Sequence, residues 1–181
     1  MIIIKSAREI ELMKVAGHAV AEAFKAIAEA IKPGMTTMDI DKIVIDTFTA
    51  NGCTSAEKGY YDYPANACVS VNEELVHGIP SNKKFLKEGD IVSVDLVANY
   101  KGYMADACRT FAVGKLSPTA EALVKVTKDA FFEGLKQVKV GNSIGDISNA
   151  IQTFVEKHGY NVAREYTQQP LRPVRLKLTQ Q

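Results

Sequence analysis

Two stretches of this 181-residue chain repeat one another at a constant offset of 107 positions, so whatever it folds into must contain one structural unit twice. Phe24 corresponds to Phe131, Lys32 to Lys139, Gly34 to Gly141, Thr36 to Ser143, Asp39-Ile40 to Asp146-Ile147 and Gly52 to Gly159, without a gap. Each copy reads as a pair of helices. In the first, Ser6-Ala7-Arg8-Glu9 has the form of a capping box, and Ile10, Met13, Gly17, Val20, Phe24, Ile27 and Ile31 follow at three- and four-residue steps. Lys32-Pro33-Gly34 stops that helix. Thr36-Thr37-Met38-Asp39 then caps a second, carrying Ile40, Ile43, Val44 and Phe48 and closed by Asn51-Gly52. In the second copy Ser117-Pro118 opens a helix running through Leu123, Val126, Phe131, Leu135 and Val138, and Ser143-Ile144-Gly145-Asp146 caps another that ends near Gly159.

Between the helix pairs, from Asn66 to Val113, the chain is rich in Val, Ile and aromatic residues and broken by turns; Ile91-Val92-Ser93-Val94-Asp95-Leu96-Val97 suits a strand buried on both faces. The first copy thus continues for roughly sixty residues beyond Gly52, the length of a few strands and their turns, before closing at Gly114. The second has only Tyr160 to Gln181, and its stretch Thr167-Gln168-Gln169-Pro170-Leu171-Arg172-Pro173 is polar and proline-broken. The expected organisation is one domain over 1–166, made of a first half 1–114 and a partial second half 115–166, followed by a divergent tail 167–181.

Charge and cysteine content narrow the function classes. With 22 basic and 21 acidic residues the net charge is +1, which supplies no field to gather nucleic acid or anionic lipid. Met1-Ile2-Ile3-Ile4-Lys5 is too short an apolar run for a signal peptide or a membrane span, so the expected location is the cytoplasm. Cys53, Cys68 and Cys108 are odd in number and show no C-x-x-C spacing, which points to free thiols.

Asp95 is the most informative residue, because a carboxylate inside a Val/Ile/Leu-rich strand is costly to bury without compensation. If Asn99-Tyr100-Lys101-Gly102 is a symmetric hairpin loop, paired positions sum to 201 and Asp95 directly faces Asp106. Two carboxylates so placed repel each other, and a divalent cation such as manganese, magnesium or iron would turn that cost into a gain. Two other readings stand beside this: one Asp points to solvent, or Arg109 neutralises the pair. His77, in Asn72-Glu73-Glu74-Leu75-Val76-His77-Gly78-Ile79-Pro80, lies in a turn-like segment just before these strands, where an imidazole can donate to a carbonyl or carry a proton. His18 lies within a helix and His158 just before the helix-ending Gly159, a usual place for a cation, and neither reads as functional; Glu156, at the same helix end, reads as facing water. Tyr60, Tyr61 and Tyr63, followed by Pro64, either wall an apolar pocket or fill core.

Together, Gly59-Tyr60, Tyr63-Pro64, Cys68-Val69-Ser70-Val71-Asn72-Glu73, His77-Gly78-Ile79-Pro80, Gly89-Asp90-Ile91-Val92, Asp95, Asp106 and Val113-Gly114-Lys115 resemble the type I methionine aminopeptidases, from the first helix to about Tyr166. The resemblance implies an α+β pita-bread fold, an antiparallel sheet with helices packed on one side, with the C-terminal half incomplete here. It implies a two-metal site with Asp95 and Asp106 as ligands (Co, Mn, Fe or Zn undistinguished), His77 as the catalytic residue contacting substrate near the scissile amide, and Tyr60, Tyr63 and Cys68 around the methionine side chain. It implies removal of the initiator methionine from a peptide or nascent-chain N-terminus, with the ribosome as a candidate partner, a monomeric state, and no nucleic-acid or membrane binding.

The chain departs from the family after Arg164-Glu165-Tyr166-Thr167, where Gln168-Gln169-Pro170 replaces a Gly-His-Gly-Ile-Gly segment bearing a histidine ligand. A second histidine and two glutamates, one of them a proton carrier, are expected beyond it. On this reading three of five ligands are missing and activity is impaired. A non-catalytic pita-bread binding module and an inactive truncated gene product are the alternatives.

Overall fold

The computed structural model describes residues 4–163 together with 176–177. The chain divides into two units, Met1–Leu116 and Ser117–Gln181. The first opens with helix α1 (Ala7–Ala30) and helix α2 (Thr37–Ala50). Four strands follow: β1 (Thr54–Ser55), β2 (Cys68–Val71), β3 (Ile91–Tyr100) and β4 (Tyr103–Ala112). All pairings are antiparallel. The long strand β4 lies along one edge of β3, and β1 and β2 share the other, β1 opposite Asn99 and Ala98 and β2 opposite Val92 to Asp95.

The β3–β4 turn has two central residues, Lys101 and Gly102, both at positive φ (+52° and +85°), as a type I′ hairpin requires. The side chain of Asn99 secures it by accepting the Gly102 N–H at 2.8 Å. Tyr100 therefore pairs with Tyr103, and partners sum to 203, not 201. This corrects the expected pairing: Asp95 lies opposite Cys108 and Asp106 opposite Val97. Because the register differs by two, not one, Asp95 and Asp106 stay on one face, as diagonal and not direct neighbours.

The two faces of the sheet differ sharply. Val92, Val94, Leu96 and Ala98 point to the helical side and are completely buried. Against them α1 presents Ala16, Ala19, Ala23, Phe24 and Ile27, all buried, and its alanines let the helix axis come close to the strands. Phe24 meets Phe111 with ring centroids 6.0 Å apart, and its own ring is covered by the Arg109 guanidinium at 5.3 Å. Helix α2 adds Ile40, Val44 and Phe48, each with no exposed surface.

Asp41 is a buried acid on α2, 5% exposed. Its carboxylate accepts three hydrogen bonds from the segment entering β2: from Asn66 N at 2.7 Å, Asn66 Nδ2 at 2.8 Å and Ala67 N at 2.9 Å. Backbone donors that have no strand partner are satisfied in this way, and β2 is anchored to α2.

The second unit contains helix α3 (Pro118–Leu135), helix α4 (Ile144–Lys157) and the short antiparallel pair β5 (Asn161–Val162) and β6 (Leu176–Lys177). Adding 107 to the bounds of α2 and β1 gives those of α4 and β5. The hydrogen bonds repeat as well. Asp39 Oδ2 accepts from Thr36 N and Oγ1 at 2.7 and 2.8 Å, and Asp146 Oδ2 accepts from Ser143 N and Oγ at the same two distances. The backbone bonds hold both carboxyls below their ordinary range, with the hydroxyl bonds second. At the other end Cys53 N donates to Phe48 O, and Tyr160 N to Val155 O, after glycines at φ +67° and +80°. The tail 167–181 and the end of the family resemblance near Tyr166 lie outside the described residues, apart from the backbone of 176–177.

Replacing Asp41 by alanine strands two buried backbone donors and is expected to destabilise the chain by about 2–4 kcal/mol. Asp41→Asn, which keeps one acceptor oxygen, should cost less. Urea unfolding of the three proteins measures both, and a loss below about 1 kcal/mol for Asp41→Ala would contradict the anchoring role.

Candidate metal and substrate site

The face of the sheet turned away from the helices carries polar residues in rows. One row runs Ser70, Ser93, Thr110 across β2, β3 and β4, with Ser93 Oγ and Thr110 Oγ1 2.9 Å apart. The next runs Cys68, Asp95, Cys108, and Asp106 lies two residues further along β4, opposite Val97. Asp95 is buried, at 4% exposure, whereas Asp106 is exposed. Arg109 pairs with Val94 and lies over Phe24, so it belongs to the helical face and does not neutralise the two carboxylates across the sheet.

Cys68 is 5% exposed between Asp95 and the buried Glu57. Its thiol is pushed up to about 12, first by burial and then by the negative charge of Glu57, with Asp95 adding to it. Tyr63, which shares a hydrogen bond with Cys68, is likewise raised, chiefly by burial. The two groups therefore stay protonated at neutral pH. No local pattern in the sequence marks Glu57; it lies buried just before the Tyr60–Asp62 3-10 turn, where Tyr60 N donates to its backbone oxygen at 3.0 Å.

Of Tyr60, Tyr61 and Tyr63, the last is half-buried. Its hydroxyl lies 3.1 Å from Ala67 O and 3.0 Å from Gly78 O. Tyr60 and Tyr61 are 66% and 90% exposed and stack edge to face, so neither fills core. His77 is exposed on the loop after β2, in the left-handed region at φ +57°, and borders an open concavity shared with Glu74, Ile79, Ser81 and Lys83 that includes neither Asp95 nor Asp106. His18 and Glu156 are exposed, and His158 caps α4 with its Nδ1 2.7 Å from Phe154 O.

The donor set suits a hard divalent cation in part. Asp95 and Asp106 offer carboxylate oxygens on one face, but no group of three or more His, Cys, Asp or Glu side chains poised for a metal ion occurs among the described residues.

Residues 11–170 match the family model for metallopeptidase family M24. Over 166 residues the chain is 48% identical to the methionine aminopeptidase of Clostridium acetobutylicum, which accounts for 92% of this chain and 66% of that relative, so the chain spans just under two thirds of its length. The crystal structure of methionine aminopeptidase from Thermotoga maritima superposes with a TM-score of 0.89 at 45% identity, covering 92% of this chain and 67% of that one. The Xaa-Pro dipeptidase from Bacillus anthracis superposes with a TM-score of 0.77 at 27% identity, covering 87% and 42%.

The raised thiol of Cys68 makes a reactivity prediction. Folding binds its proton more tightly, so its stabilising contribution is complete below the ordinary thiol value of 9.0 and is lost as pH rises towards about 12. At pH 8, iodoacetamide should label half-buried Cys108 well before Cys68 in the folded chain, with the Cys68 rate climbing at higher pH. Mass-spectrometric mapping reads the order, and equal labelling at pH 8 would refute it.

Proposed function

This chain belongs to metallopeptidase family M24, and we propose that it carries the first half, and part of the second, of a methionine aminopeptidase. The reaction is hydrolytic release of an N-terminal methionine from a peptide or nascent chain. The observation that carries the reading is the placement of Asp95 and Asp106 on one face of the β3–β4 hairpin, with Asp95 buried in the sheet.

In this reading Asp95 and Asp106 are the residues of this chain that would hold divalent ions. When bound there, such ions supply Lewis-acid polarisation of a peptide carbonyl and acidified water. His77 would donate a hydrogen bond to the substrate near the scissile amide. Tyr60, Tyr63 and Cys68 would surround the methionine side chain; Tyr63 and Cys68, kept neutral by burial, present no charge to a thioether. On the same reading Asp95 and Asp106 supply only part of a complete ligand set, which leaves activity of the chain by itself impaired.

Two measurements test this. Calorimetric titration of the chain with manganese should give weak binding, with a Kd of about 1 mM or above, abolished in Asp95→Asn and in Asp106→Asn. Tight binding of two ions by this chain would refute the incomplete-site reading. In a Met-Ala-Ser peptide assay the chain alone should release no methionine above background. Adding the C-terminal third of the Clostridium acetobutylicum relative as a separate polypeptide should restore turnover, and Asp95→Ala should lower the restored kcat by about 1,000-fold or more. Restored turnover indifferent to Asp95 would overturn the assignment.

A further inference from the structure

We infer that Ser70 is a positioning residue for His77, acting through Gly78; this rests on the reading that His77 meets the substrate. His77 occupies the left-handed region at φ +57°, a conformation that a non-glycine residue keeps only when its surroundings hold it. The loop is tied down on both sides. Before His77, Val71 N donates to Glu74 Oε2 at 2.8 Å, and Glu74 pairs with Lys84. After it, Ser81 N donates to Thr37 Oγ1 at 2.9 Å. Closest of all are the bonds to Gly78.

Gly78 is gripped at both of its backbone groups. Its N–H donates to Ser70 Oγ at 3.1 Å, and its carbonyl accepts from Val69 N at 2.8 Å and lies 3.0 Å from the Tyr63 hydroxyl. The approach is so near that a Cβ at this position would collide with the Val69 carbonyl, which explains a glycine at an otherwise unremarkable loop position. Ser70 is 2% exposed, so its hydroxyl is shielded from competing water. Tyr63 in turn is shared with Ala67 O, in the segment that Asp41 holds. A continuous set of hydrogen bonds thus runs from α2 to the residue next to His77. Ser70 needs no contact with substrate to act: it fixes the peptide unit from which the imidazole is mounted.

Ser70→Ala in the full chain tests this by amide exchange and histidine NMR. The Gly78 amide should exchange about tenfold faster, the order set by loss of one net hydrogen bond, and the His77 Cε1–H signal should broaden or split. The amides of Val94 and Leu96 should keep their rates, since the sheet is untouched. Unchanged Gly78 exchange with an unchanged His77 signal overturns the inference. If Ser70→Ala fails to fold, Tyr63→Phe removes the other side of the grip and is read in the same way. In the reconstituted enzyme, Ser70→Ala should lower kcat more than it raises KM and should add nothing in a His77→Ala background; an additive loss overturns the inference. If His77→Ala alone leaves kcat unchanged, the aminopeptidase role of His77 fails, while the exchange and NMR results still decide the grip.

Discussion

The register of the β3–β4 hairpin governs everything else in the first unit. Two residues at positive φ, Lys101 and Gly102, make the turn, and Asn99 accepts the Gly102 N–H to hold it. From that point each residue of β3 is committed to one side. The even-numbered residues Val92 to Ala98 go under α1 and are completely buried, so sliding β3 by one residue would carry four apolar side chains out of the core and bring Asp95 in. Several kcal/mol of apolar burial therefore enforce the placement of the carboxylates. The acidic face is a consequence of the core face.

The internal repeat shows how much of a unit is determined locally. α2 and α4 begin with the same cap geometry, end with the same glycine-terminated bonds, and are followed by a strand at the same spacing. These are short-range devices, and they form in both copies. Burial is long-range and differs. Phe24 is 5% exposed on its sheet, whereas Phe131, its counterpart, is 45% exposed, and Phe132, Leu135, Val138 and Ile144 are exposed with it. Capping and turn chemistry set where the helices lie; the sheet sets what they bury.

That division also explains what could be read from the sequence. Ser6, Thr36, Ser117 and Ser143 marked the four helix starts because an N-cap acts within three residues. The symmetric reading of Asn99 to Gly102 centres the turn on Tyr100-Lys101, one position early, because Tyr100 still pairs in the ladder and the two turn residues at positive φ are Lys101 and Gly102. The error moved the pairing sum by two, so the shared face of Asp95 and Asp106 survived while their direct opposition did not. Asp41, Glu57 and the Ser70–Gly78 grip were not legible at all. Each acts across 8 to 26 residues or through burial, and no periodic or local pattern encodes such a contact.

Asp95 raises a last electrostatic question: how a carboxylate can be buried in a sheet between two cysteines and near Glu57. The thiols are part of the answer. With its proton held up to about 12, Cys68 adds no negative charge at neutral pH, and it remains a donor. Were it a thiolate, it would add a negative charge beside the Asp95 and Glu57 carboxyls in one corner of the sheet and raise the cost of burying them. A protonated Cys68 beside the Asp95 carboxyl keeps hard oxygen, and not soft sulfur, as the donor this face offers to a cation.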